Sequence, residues 1–343
     1  MTALPDNERG VLRGVLVGCG WIAPSHMKAW SSLPVTIEAV CDTNVARASA
    51  FAGGHQVAHA FATLAEALEV VRPDFVDVAA GPEAHPDLVE EAVAAGCHVL
   101  CQKPLATDMA GAERIVAAAG RGPVVAVNEM WKHLPGYAIA REFVATGALG
   151  EIRAARLRQV ANVMLTQEDG SPPARLQPGG QVAFATTPRV LLFDFGVHLV
   201  DLARALFGRA TLVAGHVGRL SPHLVGDDGA WLHLRFGPGF DCTIDLDWSA
   251  PGPPVAETID VETLAVAGSE GVLTVEGART VRWLPTGHPG WCRVADGDRR
   301  EAAFLASHGN FLDAIQHGAP VFSPPADHIE NLRIVLDCYG RGA

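Results

Sequence analysis

The first third of the chain alternates short apolar runs with helix-patterned stretches, and that rhythm is the strongest constraint on its fold. "VLRGVLV", "VTIEAVC", "DFVDVAA", "HVLCQKP" and "PVVAVN" are each short, rich in branched residues and nearly continuous in hydrophobicity. Such runs suit strands buried on both faces. Between them lie "NVARASAFA", "ATLAEALEVV", "HPDLVEEAVAAG" and "TDMAGAERIVAAAG", with apolar residues at helical spacing. Strands separated by helices of this length predict a parallel sheet with right-handed crossovers. Ligands of such sheets collect at the carboxyl ends of the strands.

Four features fall at those ends. The first strand runs into Gly18-Cys19-Gly20-Trp21-Ile22-Ala23, a GxGxxA pattern. Its first glycine permits a tight turn, its second lets a pyrophosphate approach the backbone, and the small last residue lets helix and strand pack closely. N–H groups at the start of the helix then face the phosphates. Gly18, Gly20, Trp21 and Ile22 are therefore candidate contacts for a dinucleotide. The second strand ends at Asp42, 22 positions after Gly20, where a carboxylate accepts hydrogen bonds from adenosine ribose hydroxyls and repels a 2'-phosphate. NAD is favoured over NADP, although Thr43 and Arg47 lie close in sequence and a helix cap before "NVARASAFA" is the alternative role for Asp42. Gly81-Pro82-Glu83-Ala84-His85 and Cys101-Gln102-Lys103-Pro104 follow two further strands, adding Pro82, His85, Gln102 and Lys103 to the candidate cofactor side. Lys103 stands immediately before a proline, which restricts its backbone toward extended conformations and aims its side chain.

Beyond Asn128 the pattern changes. "PGYAIAREFVATGALG" reads as a connecting helix and "EIRAARLRQVANVML" as a strand with exposed arginines. The breaker-rich residues from Thr166 to Pro188 read as a long loop, suited to cover a substrate or reach a neighbouring subunit. "ATLVAGHVG", "AWLHLRF", "FDCTIDLDWS", "ETLAVAGS", "GVLTVEG" and "TVRWLP" predict a mostly antiparallel sheet of five or more strands, with an apolar face that suits oligomerisation. One helical stretch, "VLLFDFGVHLVDLARALFG", interrupts them. Asp194, His198 and Asp201 are spaced four and three apart and project from roughly one face. Aspartate and histidine are competent metal ligands, but one ordinary helix rarely supplies a whole coordination sphere, so no metal is expected. A histidine that exchanges protons near neutral pH, oriented by a carboxylate, fits better; a buried, satisfied histidine is the structural alternative.

Composition narrows the classes. A chain of 343 residues suits two domains, and 49% hydrophobic residues exclude a disordered chain. The 7 cysteines are scattered without a close CxxC pair, as expected of a reducing, cytoplasmic setting. Lys+Arg 26 against Asp+Glu 38, with no basic run, disfavours nucleic acid. The opening "MTALPDNERGVLRG" lacks the apolar run of a secretory signal, and no later stretch has membrane-spanning length, so no membrane is expected.

Four ordered features, "GCGWIA", "VCD", "CQKP" and "DFGVHLVD", together with the closing "HGNFLDAIQHGAPVFSPPADHIENLRIVLDCY", resemble the Gfo/Idh/MocA family of nicotinamide-dependent oxidoreductases. The resemblance implies an α/β Rossmann domain with a parallel sheet, residues 1–128, followed by an α+β domain, residues 129–343, built on a large, mostly antiparallel sheet for substrate binding and oligomerisation. It implies hydride transfer between NAD and a secondary alcohol or carbonyl of a sugar, cyclitol or sugar derivative, in a homodimer or homotetramer. Carried onto matching residues, Lys103, Asp194 and His198 form the catalytic group, with Asp201 in support. Lys103 then stabilises charge on the substrate oxygen while Pro104 fixes its loop. Two departures stand out. Gln102 replaces the glutamate common in the family's Glu-Lys-Pro element, and "NEMWKHLPG" offers Glu129, Trp131, Lys132 and His133 as substrate contacts or as packing. An NAD-retaining glycoside-cleaving enzyme with transient oxidation would use much of the same machinery. A non-enzymatic dinucleotide sensor is the alternative from another class.

Overall fold

The computed structural model of the chain describes residues 11–167, 169–178, 180–237, 239–251 and 258–341. Most of the opening segment, residues 1–10, and two positions of the long loop, 168 and 179, lie outside the described residues. The chain divides into two compact units: one runs to Met130 and takes back Phe304–Leu332, the other holds Trp131–Ala303 and the residues from Arg333 on.

In the first unit, β1 (Leu12–Val17), α1 (Ala23–Trp30), β2 (Val35–Cys41), α2 (Val45–His55), β3 (His59–Phe61), α3 (Leu64–Val71), β4 (Phe75–Val78), α4 (His85–Ala94), β5 (His98–Gln102), α5 (Met109–Ala119) and β6 (Val125–Asn128) follow one another. The six strands are all parallel, in the order β3-β2-β1-β4-β5-β6. The order reverses beside β1, so the ligand crevice opens at the carboxyl ends of β1 and β4. Local chemistry sets the helix starts. Asn44 and Asp108 accept N–H bonds from Arg47 and Gly111, and Thr63 and Glu66 form a reciprocal capping box. Leu16, Val40, Phe75, Leu100 and Trp30 pack with Phe311 and Leu312 of the returning segment into one core. Only β3, three residues long at the sheet edge, escapes the sequence pattern, because it is too short to show a period.

The second unit contributes α6 (Pro135–Ala145), β7 (Ile152–Val160), a π-helical turn (Leu191–Gly196), α7 (Val197–Phe207) and strands β8 (Ala210–Gly218), β9 (Gly229–Phe236), β10 (Phe240–Asp247), β11 (Glu262–Gly268), β12 (Gly271–Glu276), β13 (Thr280–Pro285) and β14 (Trp291–Val294). Helices α8 (Arg299–His317) and α9 (Pro325–Arg341) close the chain. The eight strands are ordered β14-β13-β12-β11-β7-β10-β9-β8, with β7 and β10 parallel and every other pair antiparallel. Burial alternates along them: Leu157, Leu232, Leu234, Ile244, Leu246, Leu264, Val266, Leu273 and Val275 are enclosed, while Arg156 and Arg158 remain in solvent. That alternation is the signature of a sheet covered on one face. The mixed α/β and α+β architecture expected from the sequence is the one observed. The Thr166–Pro188 stretch includes two short 3-10 turns, Ala174–Leu176 and Val182–Ala185. Its Arg175 lies 4.8 Å over the buried Trp248 ring, with Phe184 stacked 6.2 Å from that ring.

Gly14, in the middle of β1, shows how tightly side chains of the two neighbouring strands close over it. A Cβ there would stand 2.3 Å from Phe75 Cζ and 2.8 Å from Ile37 Cδ1. Gly14→Ala should therefore lower stability by ~1–3 kcal/mol through overpacking, read as a fall in the urea midpoint; an unchanged midpoint would mean that Phe75 moves aside freely.

Candidate active site

On the first unit the candidate groups gather at the carboxyl ends of β1, β2, β4 and β5. Gly18 follows β1 with φ +96°, in the left-handed region, and a Cβ there would stand 2.6 Å from the backbone N of Ala80. Glycine is required because the loop lies directly on the end of β4. Gly20 is the opposite case: nothing lies within 4 Å of its Cβ position. The first turn of α1 carries no side-chain cap, and Trp21 beside it is half exposed. A closed turn followed by an open glycine and an uncapped helix start is a cradle that fits a pyrophosphate.

Asp42 ties this loop to β2. Its carboxylate accepts from Cys19 N at 3.0 Å and Asn44 N at 2.8 Å, and from Arg47 Nε and Nη2 at 2.8 and 2.7 Å. Burial opposes the charge on Asp42, but the Arg47 fork and the two N–H groups outweigh it and hold the carboxyl below its ordinary range. The helix cap before α2 falls to Asn44, whose side chain accepts from Arg47 N, while Asp42 braces the turn that leads into it. Pro82 sits partly exposed in the turn between β4 and α4.

Lys103 directly follows β5, half-buried, and its N–H donates to the side-chain oxygen of Gln102 at 2.7 Å. His85 is fully buried, its ring turned inward: Nδ1 faces the carbonyls of Pro104 and Leu105 at 3.1 and 3.2 Å, and Nε2 faces that of Ala80 at 3.0 Å. In this position it straps the Lys103 loop to the end of β4. Burial lowers its pKa even though the three carbonyls pull the other way. Glu129, just past β6, is also fully enclosed, with His328 Nε2 3.5 Å from its carboxylate.

On the second unit, Asp194 lies in the π-helical turn and His198 in the first turn of α7. π-turns inside helices recur at functional sites. The turn is pinned by the buried Asp227, whose two oxygens accept from Val190 N and Leu192 N, both at 2.8 Å, while Tyr339 donates its hydroxyl to the same carboxylate at 2.8 Å. His198 is buried with its ring stacked on Trp131, centroids 4.6 Å apart and planes at 21°. Trp131 donates its indole N–H to Glu262 at 3.0 Å, and Tyr137 donates its hydroxyl to the same carboxyl at 3.1 Å. Lys132 pairs with Asp201 at 3.1 Å, both nearly enclosed. Trp131, Lys132, His198 and Asp201 thus form one cluster, with Lys132 held by the residue one turn beyond His198, and Asp194 lies one turn before His198 on the same segment.

Several groups that hold these positions are not singled out by the sequence pattern: Asp227, Glu262, and the Asp77 and His26 that meet Gln102 in a buried chain. His26 Nδ1 lies 3.0 and 2.9 Å from the two Asp77 oxygens, Trp30 donates to Asp77 at 2.6 Å, and the Gln102 amide nitrogen lies 3.0 Å from His26 Nε2. The available signal is a carboxylate in the middle of an apolar strand, "DFVDV", which demands buried donors. His308 completes a trio with His26 and Asp77 whose donor atoms lie within 4.8 Å of one another. Those are metal-ligand types, but His26 engages both its nitrogens within the protein, and His308 Nε2 stands 3.9 Å from Asp77 outside hydrogen-bond range, so the hydrogen-bond chain runs through Asp77 and His26 alone.

Residues 12–129 match the Gfo/Idh/MocA oxidoreductase family, NAD-binding Rossmann fold, and residues 137–274 match the Gfo/Idh/MocA C-terminal domain. The chain belongs to the Gfo/Idh/MocA family of oxidoreductases. Among characterised relatives it is similar to D-apiose dehydrogenase of Paraburkholderia graminis, 26% identical over 342 residues, covering 95% of this chain and 86% of that protein. Among solved structures it is similar to an oxidoreductase from Agrobacterium radiobacter in complex with NAD+, L-tartaric acid and magnesium, with a TM-score of 0.85 and 21% identity over 96% of each chain. A levoglucosan dehydrogenase in complex with NADH and levoglucosan gives a TM-score of 0.83 and 18% identity, covering 97% of this chain and 98% of that one. The protein is an NAD-dependent oxidoreductase.

Glu262 yields a sign-definite test. Full burial raises its carboxyl to about 8, against the Trp131 and Tyr137 bonds and the Arg299 charge, which lower it. The folded state therefore keeps a proton that the unfolded chain releases near pH 4.3, and the stability this brings is lost as pH rises toward 8. Glu262→Gln keeps an acceptor for Trp131 and removes the titration. Denaturation series from pH 5 to 9 should show the wild type losing stability relative to Glu262→Gln, at no more than about 1.4 kcal/mol per pH unit, with parallel curves as the contradicting result.

Proposed function

We propose that the protein is a dehydrogenase or reductase that passes hydride between NAD and a secondary alcohol or carbonyl of a sugar, cyclitol or sugar derivative. What supports this is that the family match spans both units, with an open glycine cradle and Lys103 in the first and, in the second, a His198 whose ring is fixed by stacking. The sugar class is supported by the names of the similar D-apiose and levoglucosan dehydrogenases. It is supported also by the polar, charged character of Lys103, Asp194 and His198, which a purely apolar alcohol would leave poorly matched.

When bound, the nicotinamide of NAD supplies the hydride acceptor. As the carbinol carbon gives up its hydride, His198 takes the hydroxyl proton, and the Lys103 ammonium donates to the oxygen on which charge develops. Asp194 binds a neighbouring hydroxyl or orients His198. In the reverse direction His198 returns the proton to the carbonyl oxygen. The Trp131 stack restricts the ring, so its proton-accepting nitrogen is aimed before substrate arrives. Glu129, Trp131 and Lys132 line up on our reading as supports more than as substrate contacts, because each is buried and engaged with its own unit. Asp42 favours NAD over NADP by placing a carboxylate where a 2'-phosphate would fall.

We also propose a cytoplasmic homodimer or homotetramer acting on a small polar substrate, without nucleic acid or membrane partners. All seven cysteines are free thiols, no described helix is long and apolar enough to cross a membrane, and Trp231 and Leu284 stand exposed on the second sheet.

The test is absorbance at 340 nm with NAD against a panel of cyclitols, aldoses, aminosugars and uronic acids. One compound should reduce NAD, and Lys103→Met and His198→Ala should each lower kcat by about 10²–10⁴ while NAD binding persists. Release of an aglycone without net NADH would replace this reading with the transient-oxidation enzyme. Tight NAD binding with no turnover of any compound would leave a sensor.

A further inference from the structure

The residue in which this chain departs from its family's usual Glu-Lys-Pro element is built into a hydrogen-bond chain that leaves it no choice of chemistry. The backbone N–H of Lys103 can only donate, so the Gln102 atom 2.7 Å from it is the amide oxygen. The other end of that side chain, 3.0 Å from His26 Nε2, is consequently the NH₂ group. Two donors cannot share a hydrogen bond, so His26 Nε2 is a bare acceptor. The Asn128 amide, 3.2 Å from the same nitrogen, agrees, because its oxygen is taken by the hydroxyl of Ser307 at 2.8 Å. The ring proton therefore sits on Nδ1 and is donated to Asp77. Asp77 is completed by the indole N–H of Trp30.

We propose that Gln102 is a positioning residue for Lys103: its amide is locked between the Lys103 backbone and a neutral His26 held by Asp77, and only an amide at 102 completes that chain. The titratable groups around His26 are few. From β4 comes Asp77, and from α8 comes His308, its ring centroid 5.1 Å away; β5 and β6 offer the neutral Gln102 and Asn128. Burial keeps His308 down at about 3, so it stays uncharged at neutral pH.

Restoring the family's residue should therefore harm this protein in a pH-dependent way. In Gln102→Glu a carboxylate oxygen would meet the Nε2 lone pair, two acceptors face to face. The contact is repaired only by one additional proton, carried either by Nε2 or by the carboxyl. That proton is held by the folded state and released by the unfolded chain above about pH 6.5. Stability contributed by it is present below that pH and lost as pH rises. Gln102→Ala removes the lock without creating the need for a proton.

Three measurements test this. Neutron diffraction of the wild-type protein should place the His26 hydrogen on Nδ1 and leave Nε2 bare; a hydrogen on Nε2 overturns the proposal. Chemical denaturation from pH 6 to 9 should show the unfolding constant of Gln102→Glu rising relative to wild type by up to about tenfold per pH unit, with Gln102→Ala running parallel to wild type. A flat ratio for Gln102→Glu overturns it, and if that variant folds at no pH, the neutron map alone decides. The kinetic arm rests on the function proposed above for Lys103. With any polyol that reduces NAD, Gln102→Glu should gain an alkaline loss of kcat absent from wild type, and Gln102→Ala should lower kcat at every pH. If no polyol is oxidised, the function fails while the first two measurements still decide the role of Gln102.

Discussion

A carboxylate fully enclosed in the middle of a parallel sheet has to be met by donors, and much of the first unit is arranged around meeting that of Asp77. Burial pushes against its charge, and the ring N–H of His26 and the indole N–H of Trp30 are the donors that meet it. Both donors come from α1, the helix whose start follows the glycine cradle. Holding that helix by two side chains one turn apart fixes where its uncapped first turn points. Through His26 the same carboxylate reaches Gln102 at the end of β5 and Asn128 at the end of β6, and through Asn128 it reaches Ser307 of α8. One buried charge thus links the glycine-loop end of the sheet, the lysine loop and the returning helix.

The second unit follows the same logic with a different outcome. Glu262 is enclosed and its donors are the neutral Trp131 and Tyr137, so burial drives it toward its neutral form. Trp131 in turn supplies the flat face on which His198 rests. Asp227, by contrast, meets backbone N–H groups at the opening of the π-helical turn and so sets where Asp194 and His198 begin. Each unit therefore holds its reactive candidates through a buried acid one or two contacts behind them. Polar networks of this kind fix a unique arrangement where an apolar core would tolerate several.

What is legible in the sequence follows from the same physics. Periodicity exposes the parallel sheet and the antiparallel one, because burial on both faces or on one face writes itself directly into residue order. The GCGWIA turn, Asp42 and Lys103 are legible because each is tied to a strand end. The spacing at 194, 198 and 201 reads as one α-helical face, but the chain takes a π-helical turn over Leu191–Gly196 before α7. Nothing in local spacing announces that change, since it is imposed by Asp227 from 35 positions away in the case of Leu192. The supports at His26, Asp77 and Glu262 are hidden for the same reason: their partners are distant in sequence. Edge strands β3 and β14 are too short to carry a period.

Direct hydride transfer between a carbinol carbon of the substrate and the nicotinamide of NAD is the reaction this arrangement serves. The measurement that addresses it most directly uses a substrate carrying deuterium on the carbinol carbon, with the dinucleotide recovered after one turnover and weighed by mass spectrometry. One deuterium on the reduced nicotinamide, with none exchanged to water, is the predicted result. A dinucleotide that returns unlabelled while the substrate is consumed would contradict it.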